Sequence, residues 1–202
     1  VGIPEHQAAA QEVADRSVTL LKNERDLLPL LGTRSASVLS VTYRRSTDLI
    51  GGRVFNSSLR ARYPRLVTVD LDRDTPNDTY EALLRRARGS NLVVVSLHVT
   101  TVSYSGSVAI PEVVSGFIET LASERIPHVV VSFGNPYLLQ DFPDAQAYLL
   151  AWSGAEVSQR AAAKALFGDM EVRGRTPTRI PPFVAIGEGI RLPAKENQRE
   201  TP

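Results

Sequence analysis

The sequence predicts a doubly wound α/β domain, a mostly parallel sheet with helices on both faces, like a flavodoxin-type α/β sandwich. Three observations carry that prediction. Segments such as residues 91–99 (NLVVVSLHV) and 128–133 (HVVVSF) are apolar almost throughout. They lack the polar alternation of a sheet with one wet face, so they belong in a sheet covered on both sides. Stretches with helical spacing separate them, which is the βαβ order that parallel strands need. The chain has 202 residues, 43% of them hydrophobic, enough to bury one sizeable core.

The elements follow in order. Residues 7–22 place Ala10, Val13, Ala14, Ser17, Leu20 and Leu21 on one helical stripe, and residues 36–42 (ASVLSVT) form a short β-rich segment bounded by Gly32 and Arg44. The spacing then predicts a helix over 48–62, a strand over 66–71, a helix over 76–88 and a strand over 91–99. Residues 111–123 carry Val114, Phe117, Ile118 and Leu121 at helical spacing behind Pro111, a residue suited to a first helical turn. A strand over 128–133, a strand over 145–151 and a helix over 157–167 complete the series. After Gly168 the chain holds Gly174, Pro177, Pro181, Pro182 and Pro193 and ends in the polar run 195–202. Such a composition reads as an extended strap and then a linker, so the expected organisation is a domain over 1–182 and a tail over 183–202.

Composition narrows the partners. Lys plus Arg total 23 against 22 for Asp plus Glu, with no long run of one sign, so no electrostatic footprint points to nucleic acid or an anionic membrane. No apolar run reaches the ~18 residues of a membrane span, and no signal-peptide pattern opens the chain. With no cysteine there are no disulfides, thiolate metal sites or cysteine nucleophiles. The first residue is Val1, which suggests a processed protein or a piece of a longer one.

Chemical motifs are few. No Walker loop is present, and Gly187-Glu188-Gly189 lies in the Pro-rich tail rather than at a helix start, so no cofactor is expected. A serine elbow is missing, because Tyr104-Ser105-Gly106-Ser107 lacks its first Gly. His6, His98 and His128 are far apart in sequence. His98 ends a strand and His128 begins one, and the ordinary strand-end reading is preferred for both. Asp70, Asp72, Asp74 and Glu81 match a calcium-loop spacing, but Thr75 stands where that loop needs Gly. A helix at Pro76, capped by Thr75 or Asp74, is the better reading. Asp70 and Asp72 lie too close in sequence for an evident glycosidase acid and base pair.

The stretch 17–30, SVTLLKNERDLLPL, resembles the signature that opens the C-terminal α/β sandwich domain of glycoside hydrolase family 3, a helix ending in Leu-Leu-Lys-Asn and a polar turn into Leu-Pro-Leu. Lys22 would serve the helix dipole, Asn23 would tolerate a left-handed turn, and Leu27, Leu28 and Leu30 would pin the exiting chain to the core. Phe133-Gly134-Asn135-Pro136-Tyr137 is similar to the family's Gly-x-Pro-Tyr segment. Residues 159–168 (QRAAAKALFG) with Gly174-Arg175-Thr176-Pro177 resemble its closing helix and Gly-Arg-Leu-Pro strap, with Thr176 in place of the usual Leu. Together these cover residues 10–181. The Gly-Asn-Pro-Tyr form and Tyr148-Leu149-Leu150-Ala151-Trp152 look most like the β-N-acetylhexosaminidase branch.

The resemblance implies a retaining glycosidase for terminal β-linked sugars whose nucleophilic aspartate sits on a preceding (β/α)8 barrel, the main expected partner. In the β-glucosidase branch the acid/base glutamate comes from a loop of this domain, yet residues 100–109 (TTVSYSGSVA) contain no carboxylate. That absence favours the hexosaminidase branch, whose proton work is done by a His-Asp pair on the barrel, and leaves no catalytic residue in this chain. Ser103, Tyr104 and Ser105, with Asn135 and Tyr137 beside them, are the substrate-binding candidates, since both segments leave the carboxyl edge of a parallel sheet. The alternative for the 100–109 loop is a plain solvated connection. A surface made to meet a barrel would drive the bare domain toward homo-oligomers, and a cell-wall glycan as substrate would imply export to a secreted, periplasmic or cell-envelope location. The competing functional reading is a free-standing flavodoxin-like module that binds a small ligand or a protein.

Overall fold

The computed structural model describes residues 3–99 and 110–195. Its sheet has six strands: β1 (Thr19–Asn23), β2 (Val38–Tyr43), β3 (Val67–Leu71), β4 (Leu92–Leu97), β5 (His128–Ser132) and β6 (Ala147–Leu150). They lie in the order β1-β6-β5-β4-β2-β3. Every pair is parallel except the edge pair β1 and β6. Helices α1 (Pro4–Ser17), α2 (Arg53–Arg62) and α5 (Glu156–Phe167) cover one face, while α3 (Asn77–Arg88) and α4 (Glu112–Ser123) cover the other. The α/β sandwich expected from the sequence is thus the observed fold. Buried strands alternate between two cores: in β4, Leu92 and Val94 face Phe55, Leu59 and Leu166, whereas Val93, Val95 and Leu97 face Leu83, Phe117 and Ile118.

The opening corner differs from expectation. Helix α1 stops at Ser17, and Thr19–Asn23 is an antiparallel strand on β6, with Leu20 opposite Leu149 and a bulge before Lys22. The β-branched pair Val18 and Thr19 disfavours another helical turn, and the open edge of β6 offers the backbone a ladder. Val13, placed on the buried stripe by its spacing, is 69% exposed, and α1 buries only Ala14. Lys22 serves no helix end; its Nζ donates to Pro143 O and pairs with Glu24. Asn23 sets the corner with its side chain: Nδ2 donates to Leu28 O at 3.0 Å and Oδ1 accepts from Leu28 N–H at 2.9 Å. The apolar anchor is as expected, with Leu28 and Leu30 buried and Leu30 N–H donating to Leu166 O at 2.7 Å.

Two helix starts also differ. Helix α3 begins after Pro76 with no side-chain cap. Asp72 and Thr75 close their own turn instead: Thr75 Oγ1 donates to Asp72 Oδ1 at 3.0 Å and accepts from Asp72 N–H at 2.9 Å. Helix α2 starts at Arg53, not at 48. Asp48 Oδ1 accepts from the N–H of Ile50 and Gly51, and Gly52 takes φ +78° beneath Thr42.

Beyond α5 the strap returns to the body. Val172 bridges Leu192, and Ile190 N–H donates to Leu20 O at 2.7 Å across the outer edge of β1. Thr176 is buried, its Oγ1 donating to Ala185 O at 2.8 Å, which accommodates a hydroxyl where the resembling motif has Leu.

Candidate functional site at the carboxyl edge of the sheet

Parallel strands bring their carboxyl ends to one edge, and a doubly wound sheet opens there where its strand order reverses. That point lies between β2, which leads outward to β3, and β4, which leads the other way to β5. His98 follows β4 at this point. Its N–H donates to Tyr43 O at 2.8 Å, extending the ladder by one residue. One face of its ring stacks on Phe133, with centroids 4.4 Å apart and planes 8° from parallel. A Cβ at Gly51 would stand 3.2 Å from its Cγ, and one at Gly154 would stand 3.5 Å from its Nδ1. The residue is 5% exposed, and neither ring nitrogen has a hydrogen-bond partner among the described residues. Burial pushes its pKa down to about 4; Asp48 opposes the shift and Arg44 adds to it. At neutral pH the imidazole is therefore uncharged, with one N–H donor and one bare acceptor.

Beside His98 the same sheet face turns polar. Ser96 Oγ donates to Thr42 Oγ1 at 3.1 Å, Asn56 Nδ2 donates to the same oxygen at 3.0 Å, and Ser40 Oγ donates to Asn56 Oδ1 at 2.7 Å. Gln159, fully buried, joins the loops above: Oε1 accepts from Val54 and Phe55 N–H at 3.0 and 3.1 Å, and Nε2 donates to Gly154 O at 2.8 Å and Ile50 O at 3.4 Å. It thereby satisfies two amides at the start of α2 and fixes the 48–52 turn relative to the loop before α5. The outer rim holds Arg44, paired with Asp70 at 3.0 Å and donating to Asp48 O, and the exposed side chains of Leu49 and Ile50.

Of the residues expected to bind substrate, Ser103, Tyr104 and Ser105 lie outside the described residues. Asn135 and Tyr137 lie at the carboxyl edge, just past Phe133. Asn135 N–H donates to Val99 O at 2.9 Å, and its Oδ1 accepts from Tyr137 N–H at 2.9 Å, capping the short 3-10 turn Pro136–Asp141. Tyr137 is 43% exposed, and its hydroxyl lies 3.1 Å from Thr178 Oγ1. These bonds give Asn135 an evident local role and leave the Tyr137 ring open to solvent. Among the described residues no group of three or more His, Asp or Glu is arranged to hold a metal ion.

Reasoning from sequence gave His98 and His128 the same ordinary reading, and the structure separates them. His128 Nδ1 lies 2.8 Å from Ile126 O, and Nε2 accepts from Gln146 N–H at 3.0 Å. Both nitrogens are used, and the acceptor role of Nε2 makes Nδ1 the protonated one. Asn56 and Gln159 were missed altogether. A usable signal existed in the polar pairs Ser40/Thr42 and Ser96/His98, which sit two apart in otherwise apolar strands and so share one face.

Fold and edge together define a flavodoxin-like α/β domain with a polar niche at the switch point of its sheet. Residues 18–200 match the model of the glycosyl hydrolase family 3 C-terminal domain, and the chain belongs to that family. It is similar to a β-N-acetylglucosaminidase/β-glucosidase of Cellulomonas fimi, 27% identical over an alignment of 182 residues that covers 86% of this chain and 32% of the relative. Among solved structures it resembles a fungal multi-domain family 3 β-N-acetylglucosaminidase, with a TM-score of 0.71 at 21% identity over 90% of this chain and 20% of that one. It also resembles a family 3 β-N-acetylglucosaminidase of Paenibacillus sp. str. FPU-7, with a TM-score of 0.67 at 19% identity over 86% of this chain and 32% of that one. The chain thus spans about a third of the length of the curated relative it matches.

Proposed function

We propose that the chain is the second domain of a retaining family 3 glycosidase that removes terminal β-linked N-acetylhexosamine, working beside a (β/α)8 barrel that supplies the nucleophile. The observation that carries this reading is the family match over residues 18–200, joined to the greater length of the relatives. The choice of an N-acetylhexosaminide over a glucoside rests on residues 100–109, which hold no Asp or Glu to serve as acid/base. On this reading the domain contributes a wall of the sugar site at its carboxyl edge, through Asn135, Tyr137 and the 103–105 segment, while both proton transfer and covalent catalysis occur on the barrel.

The test is hydrolysis of p-nitrophenyl β-N-acetylglucosaminide and p-nitrophenyl β-glucoside by the whole natural protein and by the 202-residue chain. The whole protein should cleave the first in preference to the second, with retention of anomeric configuration, and the chain alone should cleave neither. Turnover by the pure chain, lost on a point mutation within it, overturns the assignment of catalysis to a barrel. Exclusive cleavage of the glucoside overturns the choice of sugar.

A further inference from the structure

Exposed apolar side chains that stand singly, as Val13 and Leu31 do, are ordinary on a protein surface. Leu49 and Ile50 differ. They are adjacent, 78% and 54% exposed, and belong to a tight turn, where Gly, Asn, Asp, Ser or Pro is the usual choice. Among the described residues neither belongs to a core. The turn follows β2 at the carboxyl edge of the sheet, and its backbone is held from several sides. Asp48 Oδ1 accepts from Ile50 and Gly51 N–H at 3.2 and 2.9 Å, and Arg44 donates to Asp48 O. Ile50 O accepts from Arg53 N–H at 3.1 Å and from the buried Gln159 Nε2 at 3.4 Å. A Cβ at Gly51 would stand 2.5 Å from Asp48 Oδ2, so this path of the chain excludes a side chain there. A backbone fixed in this way gives up little further freedom when its side chains are covered, which is the property of a preformed interface anchor. The ion pair of Arg44 and Asp70, at 3.0 Å, puts charge beside the two apolar side chains, the pattern of a dry centre with a polar rim.

We infer that Leu49 and Ile50 are the apolar anchor by which this domain docks into an apolar recess of the (β/α)8 barrel of the same polypeptide. The inference rests on the glycosidase reading above. On that reading a nucleophile on the barrel and a wall on this carboxyl edge touch one sugar, so the barrel lies against that edge and covers what protrudes from it. The curated relative has about two-thirds of its length outside the matched region, room for a barrel. The turn then has a task that its bonds explain: Asp48, Arg44 and Gln159 keep the anchor at a fixed height above the sheet, and the anchor fixes the distance between the wall and the nucleophile.

The chain contains no cysteine, so a thiol placed in the turn reports whether the turn is covered. Leu49→Cys is compared with Leu31→Cys, a control at a site that is 75% exposed beside Leu30, which bonds the last turn of α5 at Leu166. Each variant is labelled with a maleimide in the 202-residue chain and in the whole natural protein, and labelling is followed by peptide mass mapping. In the whole protein Leu49→Cys should react about tenfold more slowly than in the chain, and Leu31→Cys should react equally fast in both. Joint replacement Leu49→Ser and Ile50→Ser should leave the melting temperature of the chain within about a degree and lower that of the whole protein. Equal labelling rates at Leu49→Cys, or a doubly substituted whole protein that melts as its parent does, overturn the inference. Slow labelling in the chain that speeds up on dilution makes a second copy the occupant, and protection that needs added N-acetylglucosamine makes a sugar the occupant; either result overturns it as well. The two readings fail separately. A protected turn in a protein that hydrolyses neither glycoside defeats the glycosidase assignment alone, and hydrolysis with an unprotected turn defeats only the docking.

Discussion

A buried histidine makes stability depend on pH in a direction that its burial fixes. The imidazole of an unfolded chain titrates near 6.5, and in the fold burial lowers His98 to about 4. Below 6.5 the unfolded chain takes up a proton that the folded one refuses, so stability is full above that pH, falls through the window between the two values and levels off near 4. The loss attributable to His98 is on the order of 3 kcal/mol. His128 is also lowered, chiefly by burial, and adds to the fall with the same sign. Urea midpoints at pH 7 and pH 4.5 should therefore differ less for His98→Phe than for the parent chain, and equal differences would show that His98 does not titrate as its burial requires. How much of the candidate site the sequence revealed is a matter of distance along the chain. The alternation that puts Ser96 and His98 on one face is local and can be read directly. The stack on Phe133 and the Gln159 bonds to Val54 and Phe55 join residues far apart in sequence, and only the assembled sheet brings them together.

At the level of elements, the corner from α1 to β1 and the strap that crosses it depend on close backbone approach. A Cβ at Gly174 would collide with the carbonyl oxygen of Val18, and backbone yields less readily than a side chain. Gly174→Ala should cost about 1–3 kcal/mol or more in urea denaturation. Leu28, fully buried behind Asn23, should cost roughly 2–5 kcal/mol when cut to Ala. Leu21→Ala should cost less, since that side chain is only half-buried and faces the opposite core. A larger loss at Leu21 than at Leu28 would contradict the strand assignment of Thr19–Asn23. Strands β2 to β6 and helices α2 to α5 were legible because each one's pattern agrees with its burial, the starts of α2 and α3 excepted. The run TLLKN was misread as helix because five residues with apolar neighbours fit either period, and what decides for strand is the open edge of β6, supplied from more than a hundred residues away. The cap of α3 was misread because Asp72 and Thr75 satisfy each other in a turn, an alternative that the same residue types always offer.

Among the described residues, one edge of the sheet is closed by β1 and by the return segment around Ile190, which lie far apart in sequence. Strand β1 pairs with β6 on its inner side, and Ile190 N–H bonds its outer side through Leu20 O. The same return segment buries Leu192 against Val172, and Thr176 bonds Ala185 and Glu188, so the strap spans residues on both sides of Pro182. If these contacts belong to the cooperative unit, a chain cut after Pro182 loses one buried leucine, worth about 1.5–3 kcal/mol. It also loses at least three net hydrogen bonds at about 0.5–1.5 kcal/mol each. A loss of roughly 3 kcal/mol or more is expected on that count, before any fraying of the edge it uncovers. The freed outer edge of β1 would also present unpaired N–H and C=O groups, so the truncated chain should self-associate at concentrations where the 202-residue chain stays monomeric. Thermal melts with sedimentation of both chains decide it. The parent should melt in one sharp transition, and the truncated form should melt lower and sediment heavier. Equal melting temperatures, with both forms monomeric, would make residues 183–202 a tail that the domain does not need.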